Sequence, residues 1–566
     1  MKRLIIYIVL LCSIDYLQAQ RLFPSDFTFR IMNADSIDTL LNTNAMRSNV
    51  VTEVVLQGDK SVWLGTGLGI SIIRDSITVE TLQDTLELTN GAYTTRLPIG
   101  GISAMTTGDK GSSYDKFMFA AVAGSENDIP IGKGIVFTTD ATDTTINWIY
   151  YDQPIDDALS DTIPFGDIGF IAVLPVTVPQ ANVTYDMDLS QEYAWTASWA
   201  GGLRRFKFSD QVWERVPLPM DSQYELTTCE DTSYVRVGAR YILKDFYLNP
   251  RDPLDGGNHN HKAFSVLLNK DTVWVGTANG INRGELISEI EEGAGPGGTD
   301  LITRCIEWVH YSYPLDGLSG NFVVGLAKQH WNGKTTIWAA TMNADSPSET
   351  RGLSYTRDGG LTWKTTLLGE RIYNIFSKDS LVLASSQSGL WKSFDGENWA
   401  VFNPAIDKTI LTQNQILSDI VYTSVLDQRD TTDLLWIGTS DGLAYSTDLQ
   451  GDDWKIFQAE YNPNEFYAYP NPFSPQNHNQ IGGEGYVRFH TGTISNNDVK
   501  LDIFNFAMEK VYEKEYNLNN YTGALKWNGR DLNGNHVSNG VYFVRMRYSF
   551  SNKSQQDYWD KLIVVK

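Results

Sequence analysis

Few places in this chain of 566 residues combine side chains in a way that could do chemistry. His259-Asn260-His261 is the paired-histidine motif, with Asp252, Asp255 and Asn258 just upstream. Alternate residues of an extended strand face one side, so a single metal could meet both imidazoles. A third ligand is not evident, and a polar loop after Pro253 and two glycines is the better reading. Asp531-Leu532-Asn533-Gly534-Asn535 places oxygen ligands at alternate positions, loosely like a calcium loop. It lacks the later bidentate Glu, so a turn is expected instead. Gly65-Thr66-Gly67-Leu68-Gly69 is glycine-rich, but it is the turn of a repeated strand–turn–strand unit. There is no P-loop. Acidic residues are plentiful, yet their pairing across distant segments cannot be read from spacing. The sequence therefore predicts no catalytic residue, no metal ligand, no cofactor-binding residue and no cofactor.

The elements that would position any site emerge from composition. Lys+Arg 45 against Asp+Glu 68 gives a net charge of −23, which argues against nucleic acid or anionic lipid as a bulk-charge partner. Seven His and three Cys are too few for a zinc array or a disulfide scaffold. Sixteen Trp, 28 Tyr and 47 Gly suit many short strands joined by tight turns. Lys2-Arg3, the apolar run Leu4 to Ile14 and the small Ala19 read as a secretory signal peptide over 1–19. No later stretch reaches 18 apolar residues, so no transmembrane helix is expected in the mature chain. Cys229 and Cys305 remain after cleavage, either bonded in an oxidising compartment or buried as free thiols.

A repeat organises most of the chain up to about residue 460. Trp63-Leu64-Gly65-Thr66, Trp274-Val275-Gly276-Thr277 and Trp436-Ile437-Gly438-Thr439 each lead to a turn and a Gly-aliphatic pair. Looser copies begin at Phe117, Ala194, Ile337 and Leu381. Each reads as a strand, a tight turn and a second strand, with small residues allowing close backbone approach. A second element comes after it, clearest in Thr356-Arg357-Asp358-Gly359-Gly360-Leu361-Thr362-Trp363, and eroded around Asp395 and Asp448. Here hydroxyl and carboxylate bond turn amides, and Trp covers the turn. A third element, such as Ser48-Asn49-Val50-Val51, opens each copy. The units run approximately 45–80, 98–152, 165–218, 262–312, 319–368, 370–403 and 410–460, with an insertion near 219–261 and an exposed loop at 285–300. The expectation is an all-β fold: a seven-bladed β-propeller over 20–460.

These W-x-G-T units resemble the two-component-regulator propeller repeat. Thr356, Asp358, Gly360, Thr362 and Trp363 resemble the Asp-box of BNR and sortilin-like propellers. The resemblance implies a folding element away from the binding face, so Asp358, Asp395 and Asp448 are not expected to be catalytic. Phe29-Arg30-Ile31 is similar to the arginine motif of sialidases, but Met32 stands where that family has proline, and no full sialidase set can be placed.

The rhythm stops near 460. A Pro-rich linker is expected over 461–475, then alternating strands in 468–566 that predict an immunoglobulin-like β-sandwich. Tyr469, Pro470, Asn471, Pro472 and Phe473, with Trp527, Gly529, Asp531, Gly534, Asn539, Gly540 and Tyr542, resemble the FlgD-like immunoglobulin-like domain and the type A C-terminal sorting domain of type IX secretion. The resemblance implies export across an outer membrane, with the secretion machinery as partner. The protein is expected to be secreted or at the cell surface and to bind an unknown glycan, peptide or protein without catalysis. A secreted carbohydrate-active enzyme and a structural surface component are the competing readings. Two carboxylates about 5 to 9 Å apart at the channel mouth would favour the enzyme. A mouth lined by aromatics without such a pair would favour binding.

Overall fold

Alternating aliphatic and aromatic runs, each closed by small or hydroxylic residues, become strands throughout the computed structural model. It describes residues 46–566 except 47, 59–60, 75–77, 83–87, 95–96, 128, 143–145, 167–168, 231–232, 292–300, 345, 403–404, 406–415, 417, 460–465, 479–484, 491–497, 518–524 and 550–554. The signal-peptide reading and Phe29 to Met32 lie outside these residues. Among the described residues no helix is long and apolar enough to cross a membrane. The chain is all-β, built from many small antiparallel sheets in a propeller-like arrangement.

The first sheet shows the pattern: Val51–Gln57, Ser61–Thr66, Ile70–Arg74 and Thr78–Leu82 pair in chain order. The same four-strand order recurs in sheets whose innermost strands are Gly101–Thr107, Thr184–Leu189, Ala263–Asn269, Phe322–Trp331, Ile372–Lys378 and Val421–Asp427, the first and third of these gaining an outer fifth strand from earlier in the chain, Tyr93–Thr94 and Glu225–Thr227. We number these sheets one to seven along the chain. Each inner strand lies against the inner strand of the next sheet, and that of sheet seven lies against that of sheet one. The sheets thus close into a ring.

The repeat residues hold this ring together. Trp63, Trp195, Trp274 and Trp338 are almost fully buried, each packing with apolar residues of the following sheet. Trp436 of sheet seven packs with Val51, Val54 and Val62 of sheet one and so closes the circle. A Cβ at Gly438 would come within 2.7 Å of Thr423 Cγ2 and 2.8 Å of the Val51 carbonyl, which is why this position stays glycine. The threonine after it has a local task. Thr439 Oγ1 donates to the Gly442 carbonyl at 2.7 Å and accepts the Asp441 N–H at 3.0 Å. Thr66 and Thr277 make the same pair of bonds in their own turns.

Two expectations are corrected. Residues 165–172 do not belong to sheet three, which starts at Thr184. Thr162–Phe165 and Gly169–Ala172 join Arg240–Leu243 and Tyr234–Val237 in a separate sheet with one parallel pair. Two inter-sheet connections therefore fold together, burying Phe165, Ile171 and Leu243 in a common core with sheets three and four. Residues 285–291 are strand rather than loop: Gly280–Glu291 pairs with Leu301–Tyr311 down to Glu291 opposite Leu301. Leu286, Ile287 and Ile290, set among the acidic residues, suit a strand. Cys229 and Cys305 are disulfide-bonded, tying the insertion to the outer part of sheet four.

The C-terminal residues form a sheet of Tyr467–Tyr469, Val487–His490 and Leu525–Trp527, and a second of Lys510–Asn517, Asp498–Phe504, Gly540–Ser549 and Gln555–Val564. They share a core that includes Phe473, Val487, Leu501, Trp527, Val544 and Leu562. The proline run expected as a linker is thus part of this two-sheet unit from Tyr467 onward, because Ala468 and Phe473 are needed inside it.

Candidate functional site

In every inner strand the pairing slips at the second or third residue, so that residue is a β-bulge. A bulge re-aims a side chain, here at the end where the second and third strands of each sheet turn. In sheets one and two the bulge residues are Thr52 and Ser103. In sheets three to seven they are Tyr185, Phe264, Val324, Tyr373 and Tyr422. Neighbours around the ring touch. The Tyr185 and Phe264 rings are 5.3 Å apart, Phe264 is 4.3 Å from Phe322, and Tyr373 is 5.2 Å from Tyr422. Trp199, from the turn of sheet three, reaches Phe264 at 5.3 Å, and the Lys262 ammonium lies 5.1 Å from its ring centre. The result is an aromatic arc in two touching groups, one over sheets three to five and one over sheets six and seven, while sheets one and two carry hydroxyls at this position. Burial raises the Tyr185 hydroxyl, which stays neutral and can donate a hydrogen bond.

Carboxylates follow the bulge on two inner strands: Glu53 of sheet one and Asp186 of sheet three one residue past it, and Asp188 three residues past it. Asp186 accepts the Met187 N–H at 2.8 Å and the Val266 N–H of sheet four at 2.9 Å. Asp188 accepts the Leu189 N–H at 2.8 Å and the Leu268 N–H at 2.7 Å. Burial pushes Asp186 up to about 7, and the main-chain donors hold it back from rising further. Burial likewise pushes Asp188 up to about 6. Glu53 of sheet one is raised well above the carboxylate range, by burial first and then by the charge of Asp186. Each oxygen of Asp186 and Asp188 serves a main-chain amide. Their task is to complete the inner edge of sheet four, which has no further strand to pair with.

The residues singled out from sequence lie elsewhere. His261 is buried, with Nδ1 accepting the Asn249 N–H at 2.9 Å and Nε2 donating to the Leu218 carbonyl at 3.0 Å. Burial drives it down to about 4, so it stays neutral. Among the described residues no three His, Cys, Asp or Glu side chains group as metal ligands. Asn260 instead bonds Asn282 and Thr277, a buried polar knot beneath the insertion. The Asp-box residues stand at the opposite end of the sheets from the arc. Gly360 N–H donates to Thr356 Oγ1 at 2.9 Å, Thr362 N–H to Asp358 Oδ1 at 2.9 Å, and Trp363 packs 5.8 Å from Tyr311 of sheet four. Asp395 and Asp448 accept turn amides in the same way.

Of the C-terminal motif residues, Phe473, Trp527 and Tyr542 lie in the core of the two-sheet unit. Trp527 lies 6.4 Å from Phe473 and 5.9 Å from Tyr542, whose hydroxyl donates to Ser538 O at 2.7 Å. Asn471 brackets the last strand, accepting the Ile563 N–H at 3.0 Å and donating to the Lys561 carbonyl at 2.6 Å. Asp531 accepts the Asn533 and Asn535 N–H groups, closing the loop around Gly534. Asn539 accepts the Lys566 N–H. Tyr469 and Gly540 are strand residues, Pro470 and Pro472 flank Asn471, and Gly529 comes just after Trp527 at a positive φ of 74°.

The aromatic arc was not foreseen. Its residues differ from sheet to sheet, so no motif marks them; only counting back from each Gly-Thr pair along the hairpin would have found the shared position.

No family model and no curated protein matches this chain. Among solved structures it is similar to PorZ, described as an essential bacterial surface component of the type-IX secretion system of Porphyromonas gingivalis. The identity is 15% and the TM-score 0.28, over 91% of this chain and 66% of that one. It is also similar to the extracellular domain of the one-component system BT4673 from B. thetaiotaomicron, with 12% identity and a TM-score of 0.34, over 94% and 63% of the two chains. YCF48 from Cyanidioschyzon merolae is 13% identical with a TM-score of 0.35, over 74% and 98%. The chain spans just under two thirds of the length of the first two.

Proposed function

We propose that this protein is an exported seven-bladed β-propeller that binds a glycan, peptide or protein on its turn face without catalysis, and that its C-terminal unit is a type A sorting domain read by a type IX-like secretion machinery. The observation that carries the binding reading is the aromatic arc of Tyr185, Trp199, Phe264, Tyr373 and Tyr422 at one end of the ring. Aromatic faces with a nearby ammonium suit sugar rings and peptide side chains. Asp186 and Asp188 do not compete with that reading, since their oxygens are committed to main-chain amides. The Asp-boxes act as turn clips in the blades. Export is supported by the charged, apolar and small order of residues 1–19, by the C-terminal motif, and by a disulfide, which persists in oxidising compartments.

The test is a glycan and peptide binding screen on the full chain, then the same measurement on Tyr185→Ala with Trp199→Ala. The double variant is expected to lose about tenfold or more in affinity with the fold intact. Unchanged affinity would remove the arc as the binding site. The enzyme reading rests on Glu53, a carboxyl raised well above its ordinary value by burial first and then by the charge of Asp186. Hydrolysis of a glycoside that Glu53→Gln abolishes would replace binding with catalysis.

A further inference from the structure

Sheet three sets two buried arginines against a single carboxylate. Its third and fourth strands, Gly202–Lys207 and Val212–Arg215, pair Arg204 with Arg215 and Arg205 with Glu214. Residues directly opposite each other project to the same face, where like charges repel. The Arg205 rung is balanced, with its Nε 2.6 Å from Glu214 Oε2. The Arg204 rung is not. Arg204 Nη2 donates to Asp156 Oδ1 at 2.7 Å, and Arg215 Nη1 donates to Asp156 Oδ2 at 2.6 Å. Side-chain exposures are 5% for Arg204, 1% for Arg215 and 3% for Asp156. Among the described residues, Asp156 is the carboxylate whose charge acts on these two guanidiniums. His261, which feels the charge of Arg215, is neutral and compensates nothing. Burial first, and then the charge of Arg204, push Arg215 down to about 9, so it keeps its proton at neutral pH. One positive charge is therefore left over in a dry setting.

Hydrogen-bond donors are left over as well. Arg204 Nε, Arg215 Nε and Arg215 Nη2 are buried and have no partner among the described residues. Nε and Nη2 share one edge of a planar guanidinium, so Arg215 gives Asp156 one end of its fork and keeps a two-donor edge free.

We propose that the Arg204–Arg215 rung is an anion site, and that the free edge of Arg215 seats one small monovalent anion of the halide class. Water would satisfy the donors but leave the buried charge unpaired, which is the costlier defect. One excess cation calls for one negative charge. A side chain that is 1% exposed admits a monatomic ion rather than the carboxylate of a larger ligand. The ion would complete the neutral cluster through which the segment carrying Asp156 is fastened to sheet three. This site stands apart from the aromatic arc and does not rest on it.

The test is urea unfolding of the full, disulfide-bonded chain at neutral pH and fixed ionic strength, with chloride replaced stepwise by bulky gluconate. The folding equilibrium constant of the parent is expected to fall about tenfold across the series, as for an ion first present at about ten times its Kd. Arg215→Met leaves Arg204 and Asp156 as a neutral pair, so it should fold and lose the chloride dependence. Arg204→Met leaves Arg215 and Asp156 neutral and should lose it too, which keeps the test open if the first variant does not fold. In crystals grown with bromide, the anomalous signal should peak within hydrogen-bond reach of Arg215 Nε and Nη2. A parent indifferent to chloride, a dependence that survives unchanged in the methionine variants, or bromide found only elsewhere overturns the proposal.

Discussion

The aspartates at the inner edge of the ring and those in its outer turns make the same kind of bond with opposite electrostatic results. Asp186 and Asp358 each accept main-chain N–H groups. Asp186 is pushed up to about 7, mainly by burial, while Asp358 is held down to about 2, first by the Thr362 hydroxyl and then by its N–H. The difference is the solvent. Hydrogen bonds lower a carboxyl pKa wherever they occur, but at the inner edge desolvation outweighs them. Inner aspartates therefore hold a neighbouring sheet's amides at an electrostatic cost, whereas outer aspartates shape their own turn at almost none.

Removing the inner pair is the strongest way to break that comparison. Asp186→Ala with Asp188→Ala leaves the Val266 and Leu268 amides without their acceptors. Each orphaned amide costs about 1–3 kcal/mol, so the double variant should lose about 2–6 kcal/mol at pH 5, where both carboxyls still hold protons. Urea denaturation at that pH checks it. A variant as stable as the parent would mean that the inner edge is satisfied by water instead.

The second prediction concerns pH. The folded state keeps the Asp186 proton up to about 7, while an unfolded aspartate releases it near 3.8. The folded form thus binds more protons across that window, so this group's contribution is greatest below 3.8 and is lost as pH rises toward 7. The loss is at most about 4 kcal/mol, from about 1.4 kcal/mol per unit. Asp358 has the opposite sign: its contribution is present above 3.8 and lost as pH falls through about 2. The difference in stability between the parent and the Asp186→Ala, Asp188→Ala variant, measured from pH 4 to 8, should shrink steadily. A flat difference would remove burial as the cause.

The contrast also explains what the sequence made legible. Asp358 was readable because its partners lie within four residues, so Thr356, Gly360 and Thr362 form a local signature. Trp63, Gly65 and Thr66 were readable for the same reason: the turn chemistry is local, and the packing recurs in every copy. Asp186 bonds across 80 residues, and nothing around it differs from an ordinary polar strand position. The bulge residues were hidden because Thr52, Ser103, Val324 and the aromatics share a place but not a type. The sheet shared by Gly169–Ala172 and Arg240–Leu243 joins segments separated by all of sheet three, which no local period can encode. Asp441, which meets Arg488 of the C-terminal unit, occupies a turn position held by Leu68 in sheet one and Asn279 in sheet four, so the repeat itself conceals it.

The smallest expected effects lie in the outer turns. Thr356 is buried, accepts the Gly360 N–H at 2.9 Å and donates to Asp358 Oδ1 at 2.8 Å. Thr356→Val keeps the shape and takes the Oγ1 acceptor from the Gly360 N–H and, at longer range, the Asp358 N–H, so it should cost about 1–2 kcal/mol, less than the inner double variant. Asp358→Ala should cost less still, because the turn it shapes is open to water that replaces the lost acceptor. Its effect should fade as pH drops below 3.8, where an unfolded aspartate is already neutral and the folded-state advantage is being lost. Thermal unfolding at pH 7 and pH 3 separates the two substitutions. The hydroxyl's contribution should persist at both values, and the carboxylate's should shrink at the lower one. If Asp358→Ala instead proves as damaging as the inner pair, the Asp-box is not a local clip, and the packing of Trp363 on Tyr311 would be carrying its effect to the neighbouring sheet.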